Sequence, residues 1–353
     1  MEEQIIEINV NSLEEKYEFN KVAKQASGAV MYRQGKAVLI AAVAIDEKAV
    51  DEDFLPLTVQ YMEKAYAAAK IPGGFIKRET KPGDFETLTS RIVDRSLRPL
   101  FPKGFYFPVT ISIMVVSSDE EVDMQVAALH AANAALFISD IPFSTSIAAV
   151  RIGTVGDDIV VNPTLSQQAD SELDLLVVGS GQDVVMIEMR TLASENESVQ
   201  NANEFHEAAL VDVIATAGEA IEKATSAYEE AFAPLVREPL ALTLAEDKVD
   251  ESLYTYIENN YAEDVEKAIS HMAKSERSTE LKKVRTKIME ALESAGKEAD
   301  KDLVSKGLER YKKTVVRAMI LDKNIRADGR ALDEVRPISI ETNLLPSVHG
   351  SCL

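Results

Sequence analysis

Residues 122–138, VDMQVAALHAANAALFI, are apolar on nearly all sides when wound as a helix and too long for a typical strand, which predicts a buried helix. Strand signals lie on both sides of it. Upstream, residues 29–33 and 37–45 flank Gln34-Gly35 as a hairpin, and residues 55–67 and 109–117 are rich in Val, Ile and Tyr. Downstream, residues 147–155 and 159–161 pair around Asp157-Asp158, and residues 173–179 pair with 183–190. Strands around helices without regular βαβ alternation predict an α+β fold rather than a doubly wound sheet.

Beyond residue 190 the pattern changes. Residues 195–232 are rich in Ala and Glu with helical periodicity, and Pro234 and Pro239 then interrupt it. No proline follows until Pro337, while Leu253, Tyr256 and Ile257, Val265 and Ile269, and Leu281, Val284 and Ile288 recur at helical spacing. This predicts an all-helical module, closed by residues 324–329, with a new strand pattern over 335–345. The resulting division is 1–235, 236–323 and 324–353. The final residues HGSCL fall inside a strand-like run, so the sequence reads as the N-terminal part of something longer.

The 353 residues carry a formal charge of −21, which argues against coating nucleic acid or anionic membranes at large. A single Cys352 gives no disulfide framework and fits a reducing cytoplasm. The N-terminus does not resemble a secretory signal, and no apolar run reaches the ~18 residues that a membrane span needs.

Against that acidic background, IPGGFIKRETKPGDFETLTSRIVDRSLRPLFP at 71–102 is basic. Between Lys70 and Lys103, eight Lys or Arg face four acids, and a local reversal of sign suits a chain of phosphates. Gly73-Gly74 allows close backbone approach, and Phe75 and Ile76 beside Lys77 and Arg78 suit a single strand, with a base on the ring and phosphates on the cations. Asp84 is the expected N-cap of the helix that follows, Pro99 its end, and Leu88, Ile92 and Val93 its buried side. Arg91, Arg95 and Arg98 then project from one face. A solvated face with Asp94 bridging Arg91 and Arg98 is the other reading of the same pattern.

Other chemistry is sparse. His130 falls within the buried helix as a core residue, and Gly179-Ser180-Gly181 sits between strands as a turn rather than a phosphate loop. Ser117-Ser118 precedes a helix start, but Asp119, Glu120, Glu121 and Asp123 would repel an anion there. No HExxH, CxxC or EF-hand spacing occurs, so no metal ligands are assigned.

The run FLPLTVQYMEKAYAAAKIPGGFIKRETKPGDFETLTSRIVDRSLRPLFPKGF at 54–105 resembles the polynucleotide phosphorylase family, as do IPFSTSIAAVRIG at 141–153, NPT at 162–164 and IRADGRALDEVRPI at 325–338. The resemblance implies a phosphate-dependent 3′→5′ exoribonuclease that releases nucleoside diphosphates and can run backwards as a polymerase. It implies two ribonuclease PH-like domains joined by a helical domain: the first over 1–235, the helical one over 236–323, and the start of the second over 324–353. It further implies a homotrimeric ring around single-stranded RNA, Mg²⁺, inorganic phosphate as co-substrate and RNA-degradation assembly proteins as partners.

Carried over residue by residue, Phe75, Ile76, Lys77 and Arg78 match the family's channel-constriction loop, with Ile in place of a second Phe and Lys in place of an Arg. Lys81, Arg91, Arg95 and Arg98 match basic positions that face the RNA path or support the ring. The family's catalytic centre lies in the second copy and uses Asp-x5-Asp-x-Lys. The equivalent places in the first copy read Gln168, Asp174 and Leu176, so the first domain is expected to be inactive and Asp174 structural. The second copy only begins: LPSVHGSCL at 345–353 can be laid on VAKQASGAV at 22–30, and His349 and Ser351 match the start of an active-site strand, with Ser347 where an Arg is usual. A strand-end role for His349 is the alternative. A non-catalytic RNA-threading ring subunit, or an acidic scaffold whose basic helix makes only internal salt bridges, are the alternatives for the chain as a whole.

Overall fold

The computed structural model describes residues 2–51, 54–79, 81–143, 145–156, 158–191, 205–245, 250–270, 274–296 and 300–353. The chain divides into two units, Met1–Ala245 and Glu246–Leu353. The division falls beyond the composition shift at 235 because the following segment is tied into the first unit. Arg237 N–H donates to the Ile138 carbonyl, Leu240 N–H to that of Asp140 and Ala245 N–H to that of Gly104.

The first unit holds two sheets. One has six strands in the order β1-β2-β3-β4-β6-β5: β1 (Gln4–Val10), β2 (Leu13–Phe19), β3 (Gly28–Gln34), β4 (Ala37–Ile45), β5 (Leu57–Glu63) and β6 (Val109–Ser117). All neighbours are antiparallel except β5 and β6. The other has four strands in the order β10-β9-β7-β8: β7 (Ala148–Val155), β8 (Asp158–Val161), β9 (Leu173–Ser180) and β10 (Asp183–Thr191). Mixed strands and helices in this order form the expected α+β fold.

The buried helix is α2 (Met124–Phe137), with only Gln125 short of full burial. It touches β3 and β4 of the large sheet and β7 of the small one, which explains why no polar face is needed. Asp123 caps it, accepting from the amides of Gln125 and Val126. Gly28 lets β3 approach the helix: a Cβ there would lie 2.0 Å from the Ala135 carbonyl oxygen. The β3–β4 turn is tight, with Gln34 opposite Ala37 and Gly35 at φ +55.

Three local expectations differ. Residues 55–67 are not one strand, since β5 ends at Glu63 and Ala65–Ala68 coil into a 3₁₀ turn closed by left-handed Ala69. Helix α1 (Asp84–Leu97) is capped by Gly83 rather than Asp84, and Glu86 Oε2 accepts the Gly83 amide at 2.6 Å. Leu88 is 53% exposed. Thr89, Ile92, Val93, Ser96 and Leu97 form the buried side, and Ser96 returns its hydroxyl proton to the Ile92 carbonyl.

Strand β2 carries a buried carboxylate, Glu15, into the core. Its Oε1 lies 2.7 Å from His130 Nδ1 and accepts from Tyr32 Oη at 2.7 Å, and its Oε2 accepts from Tyr228 Oη at 2.6 Å. His130 Nε2 faces the Ala149 amide at 3.0 Å. Burial alone would raise the Glu15 carboxyl. The opposing pull of His130, with its hydrogen bond and those of Tyr228 and Tyr32, outweighs burial and holds the carboxyl below its ordinary value. Tyr228 belongs to α4 (Glu207–Phe232), so this network ties helix to strand. The expected helix over 195–232 begins at Glu207, and residues 195–204 and Asp157 of the expected β7–β8 turn lie outside the described residues.

The second unit contains α5 (Glu251–Ile269), α6 (Lys274–Ser294) and α7 (Lys301–Lys323) around Leu253, Ile257, Val284, Ile288, Val304 and Leu308. Asp250 and Asp300 cap α5 and α7, and Asn324 in the left-handed region ends α7. The strand expected over 335–345 is absent among the described residues. Val335, Ile338 and Ile340 stay 69–78% exposed, because the alternating positions have no sheet to bury against. Hydrogen bonds between Glu341 and Leu353, from the Asn343 amide to the Ser351 carbonyl and from the Leu345 amide to Ser351 Oγ, with an isolated bridge between Thr342 and Cys352, order this segment.

Candidate RNA interface and the adjoining cavity

The basic loop stands out from the end of β5. Phe75 is fully exposed, and Ile71, Ile76, Lys77, Arg78 and Lys81 are exposed with it. Lys77 and Gly74 both hold positive φ, which turns the chain sharply around the tip. Bare apolar side chains beside cations are costly to leave in water and suit stacking with phosphate pairing.

Two carboxylates fasten the stem of this loop. Glu79 Oε1 accepts the Ala65 amide at 2.6 Å, and its Oε2 pairs with Lys64 Nζ at 3.2 Å. Glu86 Oε1 accepts the Glu63 amide at 2.7 Å, and its Oε2 accepts that of Gly83. The Ala65 amide, aided by Lys64, holds the Glu79 carboxyl below its ordinary value. Sequence reading missed both anchors. Glu86 carried a signal, three residues after a turn glycine, whereas Glu79 carried none.

The three arginines of α1 do not act alike. Arg91 is exposed. Arg95 pairs with Glu188 of β10 at 2.9 Å. Arg98 is engaged by Asp94 through two hydrogen bonds and by the carbonyls of Leu55 and Leu57, so it staples the helix to the entry of β5. Asp94 therefore pairs with Arg98 and does not bridge to Arg91 in the described contacts.

Beside α1 lies a cavity of about 630 Å³. Phe85, Leu88, Arg91 and Arg95 form one wall, and Asp174 and Leu176 of β9 face it together with Gln168 of the short helix α3 (Leu165–Ala169). Asp174 is nearly buried, one oxygen paired with Arg151 and the other with Arg190. Arg151 also pairs with Asp123 and donates to Gln125 Oε1 at 2.6 Å. Burial would lower the Arg151 guanidinium, but Asp123 and Asp174 raise it above its ordinary value, so it stays charged. These residues do not fit a Mg²⁺ site. Asp174 spends both oxygens on guanidinium groups, Gln168 is neutral, and Leu176 has no donor. Among the described residues no cluster of three or more His, Cys, Asp or Glu could hold a metal ion.

His349 and Ser351 lie in the second unit. His349 is exposed, and Ser351 is half-buried with its Oγ accepting the Leu345 amide at 3.0 Å.

The family comparisons agree with this architecture. Residues 14–142 match domain 1 of the 3′ exoribonuclease family and residues 145–220 its domain 2, so the two-sheet unit is a 3′ exoribonuclease domain. Residues 252–331 match the RNA binding domain of polyribonucleotide nucleotidyltransferase. The polyribonucleotide nucleotidyltransferase of Sulfurovum sp. (strain NBC37-1) is 74% identical over all of this chain and 51% of its own length. That of Campylobacter hominis is 51% identical over 98% of this chain and 49% of its own. The rice Rrp46 crystal structure is a weaker likeness, with TM-score 0.48 and 14% identity over 65% of this chain and 98% of that one. The chain belongs to the polyribonucleotide nucleotidyltransferase family, and it spans about half the length of the curated relatives it matches.

Proposed function

We propose that this chain is the RNA-holding part of a phosphorolytic 3′→5′ exoribonuclease. Phe75, Ile76, Lys77, Arg78 and Lys81 grip the single strand, Arg91 and Arg95 line the neighbouring wall, and Arg98 supports them as a structural clamp. The observation that carries this reading is the fully exposed Phe75 at the tip of a basic loop whose stem is fixed by Glu79 and Glu86. A rigid stem with a bare tip suits a constriction that must hold its place while a strand slides past. The whole enzyme would work as a homotrimer in the cytoplasm, together with other RNA-degrading proteins.

Phosphorolysis itself needs a phosphate to attack the terminal phosphodiester, with the developing charge stabilised at that centre. The first-copy cavity does not supply this, because Arg95, Arg151 and Arg190 are already matched by Glu188, Asp123 and Asp174. As the family resemblance implies, Mg²⁺ and inorganic phosphate are assigned to a second copy of the domain, of which residues 324–353, with His349 and Ser351, are the start.

Two measurements test this. Residues 1–353 should release no nucleoside diphosphate from poly(A) with phosphate and Mg²⁺; clear release refutes the assignment. Lys77→Ala/Arg78→Ala should weaken oligo(A) binding and flatten its salt dependence by a slope of about 1.4, at ~0.7 per single-strand phosphate contact. An unchanged affinity and slope would remove the loop from the RNA path.

A further inference from the structure

The helical unit contains a second cavity, of about 480 Å³, between α6 and α7. Its floor is aliphatic: Leu281, Leu308 and Val316, with Ile269 and Ala327 beside them. Its mouth is cationic, carrying Arg277, Lys282, Arg285 and Lys312 against one acid, Glu309. Helical spacing produces this arrangement. Arg277, Leu281 and Arg285 follow at four-residue steps on α6, while Ser305, Leu308, Lys312 and Val316 make the facing stripe on α7. Arg285 reaches across the cleft to Ser305 Oγ at 3.3 Å, and Lys312 pairs with Glu309 at 2.5 Å.

We propose that this cleft binds a nucleoside phosphate, the base on the aliphatic floor and the phosphate among the four cations. In a chain of net charge −21, so many cations around one opening call for an anion carrying more than one charge. Guanidinium forks match phosphate oxygens in pairs, which favours phosphate over a lone carboxylate. The floor adds the second requirement, since a bare inorganic anion gains nothing from five aliphatic side chains. The size lies in the range of small-ligand sites. Every lining residue falls within 252–331, yet that match names no cleft and no contact. No residue of the 71–83 loop lines it, so the inference stands or falls apart from the function proposed for that loop. The ligand proposed is a free nucleotide; one unit of an RNA strand, which the match to 252–331 already covers, is the competing outcome of the test.

The test uses residues 1–353 with a fluorescent ADP, a labelled oligo(A) and inorganic phosphate as probes. Lys282→Ala/Lys312→Ala should weaken ADP binding at least about tenfold, the effect of losing one charge-assisted contact or more. Lys77→Ala/Arg78→Ala should leave the ADP response intact. Loss of ADP affinity, with or without loss for oligo(A), supports a free-nucleotide site; loss for oligo(A) alone overturns it and leaves only the RNA binding named by the match to 252–331. Lys282→Glu, at an exposed position, repeats the test should the double variant unfold. Neither probe responding to the substitutions overturns the proposal, as does inorganic phosphate or a polyglutamate peptide competing as strongly as ADP.

Discussion

Changing Tyr228 to Phe removes the one described donor to Glu15 Oε2, while Oε1 keeps Tyr32 and His130. The carboxylate is buried, so no water replaces the lost hydroxyl. A hydrogen bond to a charged group contributes about 1.5–3 kcal/mol, and that is the expected cost. For a unit of this size the unfolding midpoint should fall by roughly 3–12 °C, at ~2–4 °C per kcal/mol. Tyr17 supplies the comparison, since it is equally buried and its hydroxyl lies near that of Tyr228 without a hydrogen bond of good geometry among the described residues. Tyr17→Phe removes a desolvated polar atom and should be neutral or stabilising. Thermal and urea unfolding of both variants, followed by circular dichroism, makes the comparison. Equal losses for the two substitutions, or a Tyr228→Phe loss below about 0.5 kcal/mol, would refute the assignment of the stabilisation to Glu15.

Arg151→Met leaves Asp123 and Asp174 nearly buried without their shared partner and should cost about 3–5 kcal/mol, whereas Arg190→Ala, at a 71% exposed side chain, should cost about 1 kcal/mol or less; urea midpoints separate the two. Gly28→Ala drives a methyl onto the Ala135 carbonyl and should exceed the ~1–3 kcal/mol usual for overpacking, seen as loss of a cooperative transition. Glu15 and Glu18 are both held below the ordinary carboxylate value, Glu18 by Lys21 and Arg33 against the opposing effect of burial. Their stabilisation is therefore full above the unfolded value of about 4.3 and is lost as pH falls through the lower folded values. Urea midpoints taken from neutral pH downward should fall in that acid range, and less steeply in Glu15→Gln.

Where burial follows apolar periodicity, the sequence was a sufficient guide. Helix α2, strand β6 and the β3–β4 turn are of this kind. Strand β2 shows why the rest was hidden. LEEKYEF reads poorly as a half-buried strand because Glu15 points inward with Leu13, Tyr17 and Phe19, and the groups that make its burial tolerable include His130 and Tyr228, distant in sequence. The candidate site follows the same division. The exposed tip at 75–78 could be seen from composition and spacing. The division of labour among Arg91, Arg95 and Arg98 depends on Glu188 and on the carbonyls of Leu55 and Leu57, which no local pattern announces. Leu88 was misplaced because the cavity beside α1 leaves that face without a covering layer.

Of the four contacts made by Glu79 and Glu86 to the loop stem, three are received from main-chain amides, those of Ala65, Glu63 and Gly83. Main-chain donors persist through substitution of the residues that carry them, proline excepted. The tip is thus an interchangeable cassette on a fixed socket. Ile76 and Lys77, which under the family resemblance stand in place of an aromatic ring and a guanidinium, are changes the socket can accept without resetting its geometry.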